Sequence, residues 1–279
     1  MLATVVGFGR DVHHEGYAPE IYVAILCALL AVFVTLAWLG PQLRRSTRTT
    51  LRTAATFVGL PTVFSSLCYV LPMLHPEPYE WTWIAVDRAM FGVDPTVVLQ
   101  ALLSPWFVEI LQWCYGVFYF VPIAVLTAIL FRRDGATFDR ALCAVVFGFL
   151  ASYLGYVLFP TLPPYRFLTH DVPLQGVFAA EWIHGVLDRA EVNRFDCFPS
   201  GHTMMSLVAL HLGYRHVPRL AVVLTPIVLL LILATLALRY HYAIDVLVGA
   251  VLAPISLSCS DWLCRRFERG AITASHLRS

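Results

Sequence analysis

Long apolar stretches separated by short polar segments recur from one end of the chain to the other. A helix needs about 20 apolar residues to cross the hydrocarbon core of a bilayer, and nearly all of these stretches come close to that length. The exception is the fifth, which is short and contains His202 and His211. The pattern predicts an all-α, polytopic membrane bundle that forms one domain over residues 1–279. The seven predicted spans cover residues 21–40, 54–74, 107–131, 140–159, 201–217, 219–238 and 241–263.

Composition agrees with a membrane protein. Hydrophobic residues make up 59% of the chain and charged residues 13%, and the mean hydropathy is +0.72, far from a soluble globular domain. The net charge of +1 provides no strong global field. We therefore expect a lipid environment and no nucleic-acid partner.

The basic residues are all arginines, and they indicate how the chain is oriented. Twelve of them cluster in alternate loops and at the C-terminal end, on the side that the positive-inside rule assigns to the cytoplasm. We expect an inner (plasma) membrane protein with a cytoplasmic C-terminus and an external N-terminus. The segments 75–106, 160–200 and 239–241 then lie outside. The clustered arginines are Arg44, Arg45, Arg48 and Arg52, then Arg132, Arg133 and Arg140, then Arg215 and Arg219, and finally Arg265, Arg266 and Arg269.

Two of these external segments are more than plain connections. Residues 76–106 are rich in tryptophan and proline, which predicts short interfacial helices at about 81–91 and 95–104. Such helices either anchor the chain at the membrane surface or act as a lid or lipid gate. Residues 160–199 contain several prolines and mixed charge, which predicts a structured loop.

The first candidate site lies where the fifth apolar stretch begins, at Phe198-Pro199-Ser200-Gly201-His202. A helix that starts at Gly201 presents free backbone N–H groups to an anion. Glycine allows close approach, Ser200 adds a donor or a cap, and His202 reaches the same anion from the first turn. The alternative is helix capping beside a packed histidine.

The second candidate site is Arg239-Tyr240-His241-Tyr242-Ala243-Ile244-Asp245. The spacing of His241 and Asp245 puts both on one face of a helix. A buried pair of this kind is sometimes structural, but ionisable residues inside a membrane are costly and are usually functional. Because both candidate sites fall on the predicted external side, the sequence favours a shared functional site.

These residues resemble a known family. Pro199-Ser200-Gly201-His202 followed by His241-x-x-x-Asp245 is similar to the second and third signatures of the type 2 phosphatidic acid phosphatase superfamily. The resemblance is clearest over residues 140–263, which would form the catalytic core after N-terminal helices in 1–139. The superfamily has a six-helix bundle, so a seventh span would be either an N-terminal addition or a miscount of the spans. Two further stretches, Asp87-Arg88-x-x-Phe91-Gly92 and Phe159 to Phe167, look like the inositol phosphorylceramide synthase branch.

The resemblance implies a role for each residue. His241 would attack phosphorus and become a phosphohistidine, Asp245 would orient it, and a protonated His202 would donate to the leaving oxygen. Arg166 and Arg239 would bind phosphate oxygens, and Ser200 with the Gly201 N–H would complete the anion site. No metal or other cofactor is implied.

The chain also departs from the superfamily pattern. The first signature begins with a lysine, which this chain cannot supply, so Arg166 would replace that element. The arginine usually found six residues before the third-signature histidine is Thr235 here, and Arg239 would supply its charge. These changes favour the synthase-like branch, whereas Gly201, where that branch often has leucine, favours an ordinary phosphatase.

The implied substrate is a lipid phosphate ester, and the acceptor of the phosphoryl group is open. Attack by water gives a lipid phosphate phosphatase, which we favour because water needs no dedicated binding site. Attack by an alcohol such as inositol, a sugar or another lipid gives a head-group phosphotransferase.

Two other classes of protein stay open. A metal-dependent hydrolase could use His202, His241 and Asp245 as ligands, since His and Asp four residues apart on a helix form a competent pair. A transporter or scaffold with an inactive site would turn over no lipid phosphate.

Overall fold

The computed structural model describes residues 19–74, 79–132, 135–190 and 194–276. Within these ranges the chain is helical, with an isolated parallel β-bridge between Thr161 and Asp196. The predicted all-α class is confirmed. The chain divides into two compact units, Met1–Glu77 and Pro78–Ser279. The predicted external N-terminus lies outside the described residues.

The first unit contains two long helices, α1 (Pro19–Leu39) and α2 (Arg45–Leu74), joined by a 3-10 turn at Gly40–Gln42. Their side chains meet where the rings of Tyr22 and Tyr69 stack, with centroids 3.8 Å apart.

The second unit contains the remaining described helices. In chain order these are α3 (Glu80–Phe91), α4 (Pro95–Leu99), α5 (Pro105–Gly116), α6 (Phe120–Arg132), α7 (Gly135–Leu158), α8 (Ala180–Ala190), α9 (Gly201–His216), α10 (Pro218–Ala237) and α11 (Ala243–His276). Short 3-10 helices occur at Gln100–Leu102 and Pro164–Arg166.

Five of the described helices are long and apolar enough to cross a membrane, namely α1, α2, α7, α10 and α11. The bent pair α5–α6 makes a sixth if it forms one span, with a 47° bend at its break. The chain is therefore an integral membrane protein. These elements correspond to six of the seven predicted spans.

The predicted span at 201–217 corresponds to α9, which has only 16 residues and is not among the described helices that are long and apolar enough by themselves to count as a membrane span. At a rise of about 1.5 Å per residue it falls short of a hydrocarbon core about 30 Å thick. Ser200 caps its start, and the helix stops before Pro218.

Helix α9 lies at the centre of the bundle. Met204, Met205, Val208 and Ala209 are fully buried, and they pack in one apolar core with residues of α6, α7, α10 and α11. A second, smaller core joins α5, α8 and α10. The start of α9, which carries His202, is thereby held inside the protein.

The segments predicted to be external contain helices. Helix α3 confirms the predicted helix at 81–91, while the predicted helix at 95–104 is the shorter α4 followed by a 3-10 turn. The predicted loop at 160–199 also contains α8, which the sequence reading missed. The signal was present, because Ala180, Ile183 and Leu187 recur at helical spacing and are buried on one side.

A single carboxylate fixes the start of α8. Glu109 on α5 accepts hydrogen bonds from the backbone N–H groups of Val177, Phe178, Ala179 and Ala180, at 3.0 to 3.1 Å. A negative charge at this position satisfies unpaired amides and opposes the positive end of the helix dipole.

Candidate active site

The C-terminal end of α10 places His241. Arg239 adopts a left-handed conformation, with φ 69°. The N–H of Arg239 donates to Leu236 O and that of Tyr240 to Thr235 O, which together form a Schellman motif. The N–H of His241 also donates to Thr235 O, at 2.9 Å. The end of α10 therefore fixes the backbone position from which the His241 side chain extends.

The hydrogen bonds of His241 define its tautomer. Its Nδ1 lies 2.9 Å from the carbonyl oxygen of Cys197. Because a carbonyl oxygen only accepts, Nδ1 carries the proton and Nε2 keeps its lone pair. Asp245 is a more distant neighbour, with Oδ2 3.6 Å from the same Nδ1. The nitrogen available for attack on an electrophile is therefore Nε2.

His202 stands directly beside that nitrogen. Its Nδ1 lies 3.4 Å from Nε2 of His241, and both side chains are buried. Aromatic rings surround it, with the centroids of Tyr115 and Phe118 at 4.6 and 4.2 Å from the His202 ring. Two imidazolium ions this close would repel each other strongly in a dry environment, so at most one ring is protonated at a time. Burial, and next the neighbouring His241, lower the pKa of His202.

Burial also keeps His241 neutral. Removal from water lowers the pKa of His241 to about 4, although Asp196 and the Cys197 carbonyl oppose that shift. A group that must be unprotonated to act is then available at any pH above about 4.

Asp245 and Ser200 tie the two histidine segments together. Asp245 is fully buried in the first turn of α11, where its Oδ2 accepts the Tyr242 N–H at 2.9 Å. Its carbonyl oxygen accepts the Ser200 N–H at 3.0 Å. The Ser200 hydroxyl caps α9 by accepting from the Thr203 N–H at 3.3 Å.

Gly201 leaves room for a tyrosine. A Cβ atom at this position would lie 2.2 Å from the hydroxyl oxygen of Tyr156 on α7. Any larger residue at 201 would therefore clash with a buried phenol.

The two predicted phosphate-binding arginines occupy different surroundings. Arg239 donates from Nη2 to the carbonyl oxygen of Val172, which fastens the 160–179 segment. Arg166 is half-buried in the 3-10 helix, with its guanidinium 5.8 Å from the Tyr165 ring centroid. Its charge also acts on Asp188.

A small cavity opens beside His241. Of the seven predicted site residues, His241 alone lines it. The other lining groups include Arg194, which donates to Asp188 at 2.5 Å and holds the pKa of that carboxyl below its usual value. The full lining is Tyr115, Pro163, Tyr165, His184, Leu187, Asp188, Arg194, Asp196, Cys197, Tyr240 and His241.

Arg194 is the cationic residue that the sequence reading missed. It stands four positions before Phe198, in the stretch Arg194-Phe195-Asp196-Cys197 that leads into the first histidine motif. A charged cluster immediately before such a motif is a signal that was available.

Among the residues that the structure describes, one group of side chains has the spacing of metal ligands. Ligand atoms of Cys197, His241 and Asp245 lie within 4.8 Å of one another, and all three residues are buried. Their present hydrogen bonds are internal, since the Cys197 thiol donates to Tyr240 O at 3.1 Å and His241 to Cys197 O. This set shares His241 and Asp245 with the metal alternative but has Cys197 in place of His202.

Comparison with known proteins identifies the family. A sequence model of the PAP2 superfamily matches residues 82–259, which is more than half of the chain. The chain therefore belongs to the PAP2 superfamily, as the two histidine signatures predict, and it is related to phosphatases.

A relative in Dictyostelium discoideum, described as a PA-phosphatase related-family protein, is 23% identical over 202 residues. That match includes 64% of this chain but only 36% of the relative, so the chain spans about a third of the relative's length. No solved structure matches the chain significantly.

The Gly201–Tyr156 contact generates a prediction on stability. Gly201→Ala should lower the free energy of unfolding by about 1–3 kcal/mol, because overpacking a close contact has that cost. Tyr156→Phe in the same chain should recover part of the loss by removing the clashing oxygen. Denaturation in mixed micelles measures both, with Tyr156→Phe alone as the control. Equal losses in the single and double variants would show that the hydroxyl is not the obstacle.

Proposed function

We propose that this protein is a metal-independent lipid phosphate phosphatase that works through a phosphohistidine at His241. The observation that carries the proposal is the His202–His241 pair beside the cavity. One ring has a lone pair on Nε2 and the other places a nitrogen 3.4 Å from it. Membership of the PAP2 superfamily supplies the reaction class.

In the first step, Nε2 of His241 attacks the phosphorus atom of the lipid phosphate. A P–N bond forms and the P–O bond to the lipid breaks. His202, protonated on both nitrogens, gives its Nδ1 proton to the leaving alkoxide, which departs as the lipid alcohol. Nδ1–H of His241 stays bound to Cys197 O, while the Asp245 carboxylate stabilises the positive charge that the ring acquires.

In the second step, water attacks the phosphohistidine. The neutral His202 accepts a proton from that water as the P–N bond breaks, and inorganic phosphate leaves. Both histidines return to their starting protonation states. The reaction therefore needs a proton on His202. Because burial and the nearby His241 lower the pKa of His202, the negative charge of the bound phosphate has to favour that protonation.

Phosphate oxygens need positive or N–H donors during both steps. Arg194 is the cationic side chain in the cavity lining, and we place it first among the phosphate ligands. Arg166, Ser200 and the Gly201 N–H are further candidates from the sequence, since α9 begins at Gly201. Arg239 would act chiefly by fixing the Val172 segment.

We also propose an orientation. The arginine-rich loops would face the cytoplasm, and the histidine site would face the periplasm or cell exterior. The substrate would then be drawn from the outer leaflet.

The mechanism predicts a covalent intermediate. His241→Ala should abolish turnover, and Asp245→Asn should reduce it by about 10²–10⁴-fold, as for other carboxylates that orient a catalytic histidine. Rapid quench with a ³²P-labelled lipid phosphate, followed by peptide mapping, should find acid-labile label at residue 241. His211→Ala, on the exposed side of α9, is the matched control.

Turnover by His241→Ala at the wild-type rate would rule out the mechanism. Activity in EDTA should match the untreated enzyme, and a loss restored by added Zn²⁺ would favour the metal-dependent alternative instead.

The cavity predicts which arginine binds the phosphate. Arg194→Ala should lower kcat/KM by about 10–100-fold, the usual worth of a charge-assisted hydrogen bond. Arg194→Lys should recover little, because a point charge cannot form the same two-point contact. Arg166→Ala and Arg239→Ala are measured beside it, with the exposed Arg189→Ala on α8 as the control. Wild-type kinetics for Arg194→Ala would assign the phosphate to another residue.

A second candidate function is transfer of a phosphoryl-linked headgroup to an alcohol. The observation in its favour is the cavity wall, which carries hydroxyl, imidazole and carboxylate groups beside the nucleophile. Within it, Nδ1 of His184 lies 2.6 Å from the Tyr240 hydroxyl. Such groups suit the hydroxyls of inositol or a sugar.

Product partitioning distinguishes the two functions. Purified protein is given phosphatidic acid, a polyprenyl phosphate, or phosphatidylinositol with ceramide, and both free phosphate and transferred headgroup are followed. A phosphatase should release phosphate at a rate that added alcohols leave unchanged. A transferase should release little phosphate and form product only with its acceptor.

A further inference from the structure

Helix α3 has a buried face that contacts every segment of the site. Glu80, Trp83 and Asp87 follow one another at the i, i+3 and i+7 positions, so they share one side of the helix. Glu80 and Asp87 are almost entirely buried, which is unusual for carboxylates. Neither is explained by the proposed chemistry.

Asp87 binds the segment that follows His241. Its Oδ2 accepts the Ala243 N–H and its Oδ1 accepts the Ile244 N–H, both at 2.8 Å. These amides belong to the first turn of α11, which has no partners of its own for them. Asp87 is therefore a helix cap supplied by another helix. With Asp245, which accepts the Tyr242 N–H, it fixes three consecutive amides directly after His241.

Trp83 holds the segment that precedes His202. Its ring stacks on Phe198 with centroids 4.0 Å apart and an angle of 5° between planes. Its Nε1 donates to the Thr161 hydroxyl at 2.9 Å, and the carbonyl of Thr161 accepts the Cys197 N–H at 3.3 Å. Cys197 is the residue whose own carbonyl receives the His241 ring.

Glu80 holds the same loop one residue further along. Its Oε1 accepts the Leu162 N–H at 2.7 Å. The three side chains of one helix thus contact residues 161–162, Phe198 and residues 243–244, which belong to the three segments that converge on the histidine pair.

We propose that α3 is the positioning element of the active site and that Asp87 is its principal positioning residue. The inference rests on the proposed function. One rigid helix bonds to the backbone on either side of the histidine pair, and so it sets the distance between Nε2 of His241 and Nδ1 of His202. Loss of the Asp87 hydrogen bonds releases the first turn of α11, so the His241 ring can move away from the position in which Nε2 faces the phosphorus atom. The side chains that line the cavity and bind the substrate stay in place.

The test separates positioning from binding and from folding. Asp87→Asn keeps one acceptor oxygen, whereas Asp87→Ala keeps none. We expect kcat and the single-turnover rate of phosphohistidine formation to fall at least tenfold for Asp87→Asn and further for Asp87→Ala. KM should stay within threefold of wild type, because a displaced nucleophile leaves the substrate-binding groups unchanged.

Asp94→Asn is the matched control. Asp94 carries the same chemical group nearby and pairs with the exposed Arg88 at 2.8 Å, and its substitution should leave kcat within threefold. Thr161→Val provides a second variant if the Asp87 variants do not fold. It removes the acceptor of the Trp83 bond at nearly constant volume and should lower kcat by about threefold to tenfold with little change in KM.

Each result decides something. Wild-type kcat in both Asp87→Asn and Thr161→Val, while His241→Ala is inactive, overturns the positioning role and leaves the proposed function standing. A fall in kcat that is matched by a rise in KM and a lower denaturation midpoint also overturns it, as a general structural defect. Turnover by His241→Ala removes the proposed function itself.

Discussion

Carboxylates removed from water need hydrogen-bond donors, and in this protein backbone amides supply them. Four such carboxylates surround the site. Glu80 binds Leu162, Asp87 binds Ala243 and Ile244, Glu109 binds residues 177–180, and Asp245 binds Tyr242. An unpaired buried charge costs far more than a neutral group. The long connections between helices are therefore held in one arrangement, because moving them away would leave a buried carboxylate without its backbone N–H donors.

This arrangement separates two tasks. The apolar core around α9 excludes water from the histidine pair, since Met204, Met205 and Val208 leave no exposed surface behind His202. The cavity on the other side of His241 is lined mostly by polar and aromatic groups. Tyr115 links the two regions, because its ring packs on both His202 and Tyr240, with centroids 4.6 and 4.3 Å away. The imidazole of His241 at this boundary is shielded from water on one side and accessible from the cavity on the other.

Much of this was readable from the sequence, because it depends on local pattern. Apolar stretches of membrane length gave six of the described helical spans, and two short motifs gave His202 and His241, which the structure brings together. The i, i+4 spacing put Asp245 near His241 as well. The sequence did not reveal how short the helix at 201–216 is, because apolar character alone does not determine where a helix ends.

What the sequence did not reveal depends on backbone partners and distant contacts. The ring of His241 binds the carbonyl of Cys197 more closely than it approaches Asp245, and a carbonyl carries no sequence signature. Asp87 stood in a stretch that resembled one branch of the family, but its partners lie 156 and 157 residues away. Arg194 reaches the cavity because α8 packs where it does, and the charge pattern alone did not identify that helix.

The contacts of α3 have a consequence for how the protein is made. Its partners lie 78, 82, 156 and 157 residues further along the chain. Contacts between residues so far apart in sequence form late, because a long loop must close first. During synthesis α3 emerges well before α11, so the site cannot be assembled until the last membrane helix has been inserted. A partly synthesised chain would therefore already span the membrane before its two histidine segments could meet.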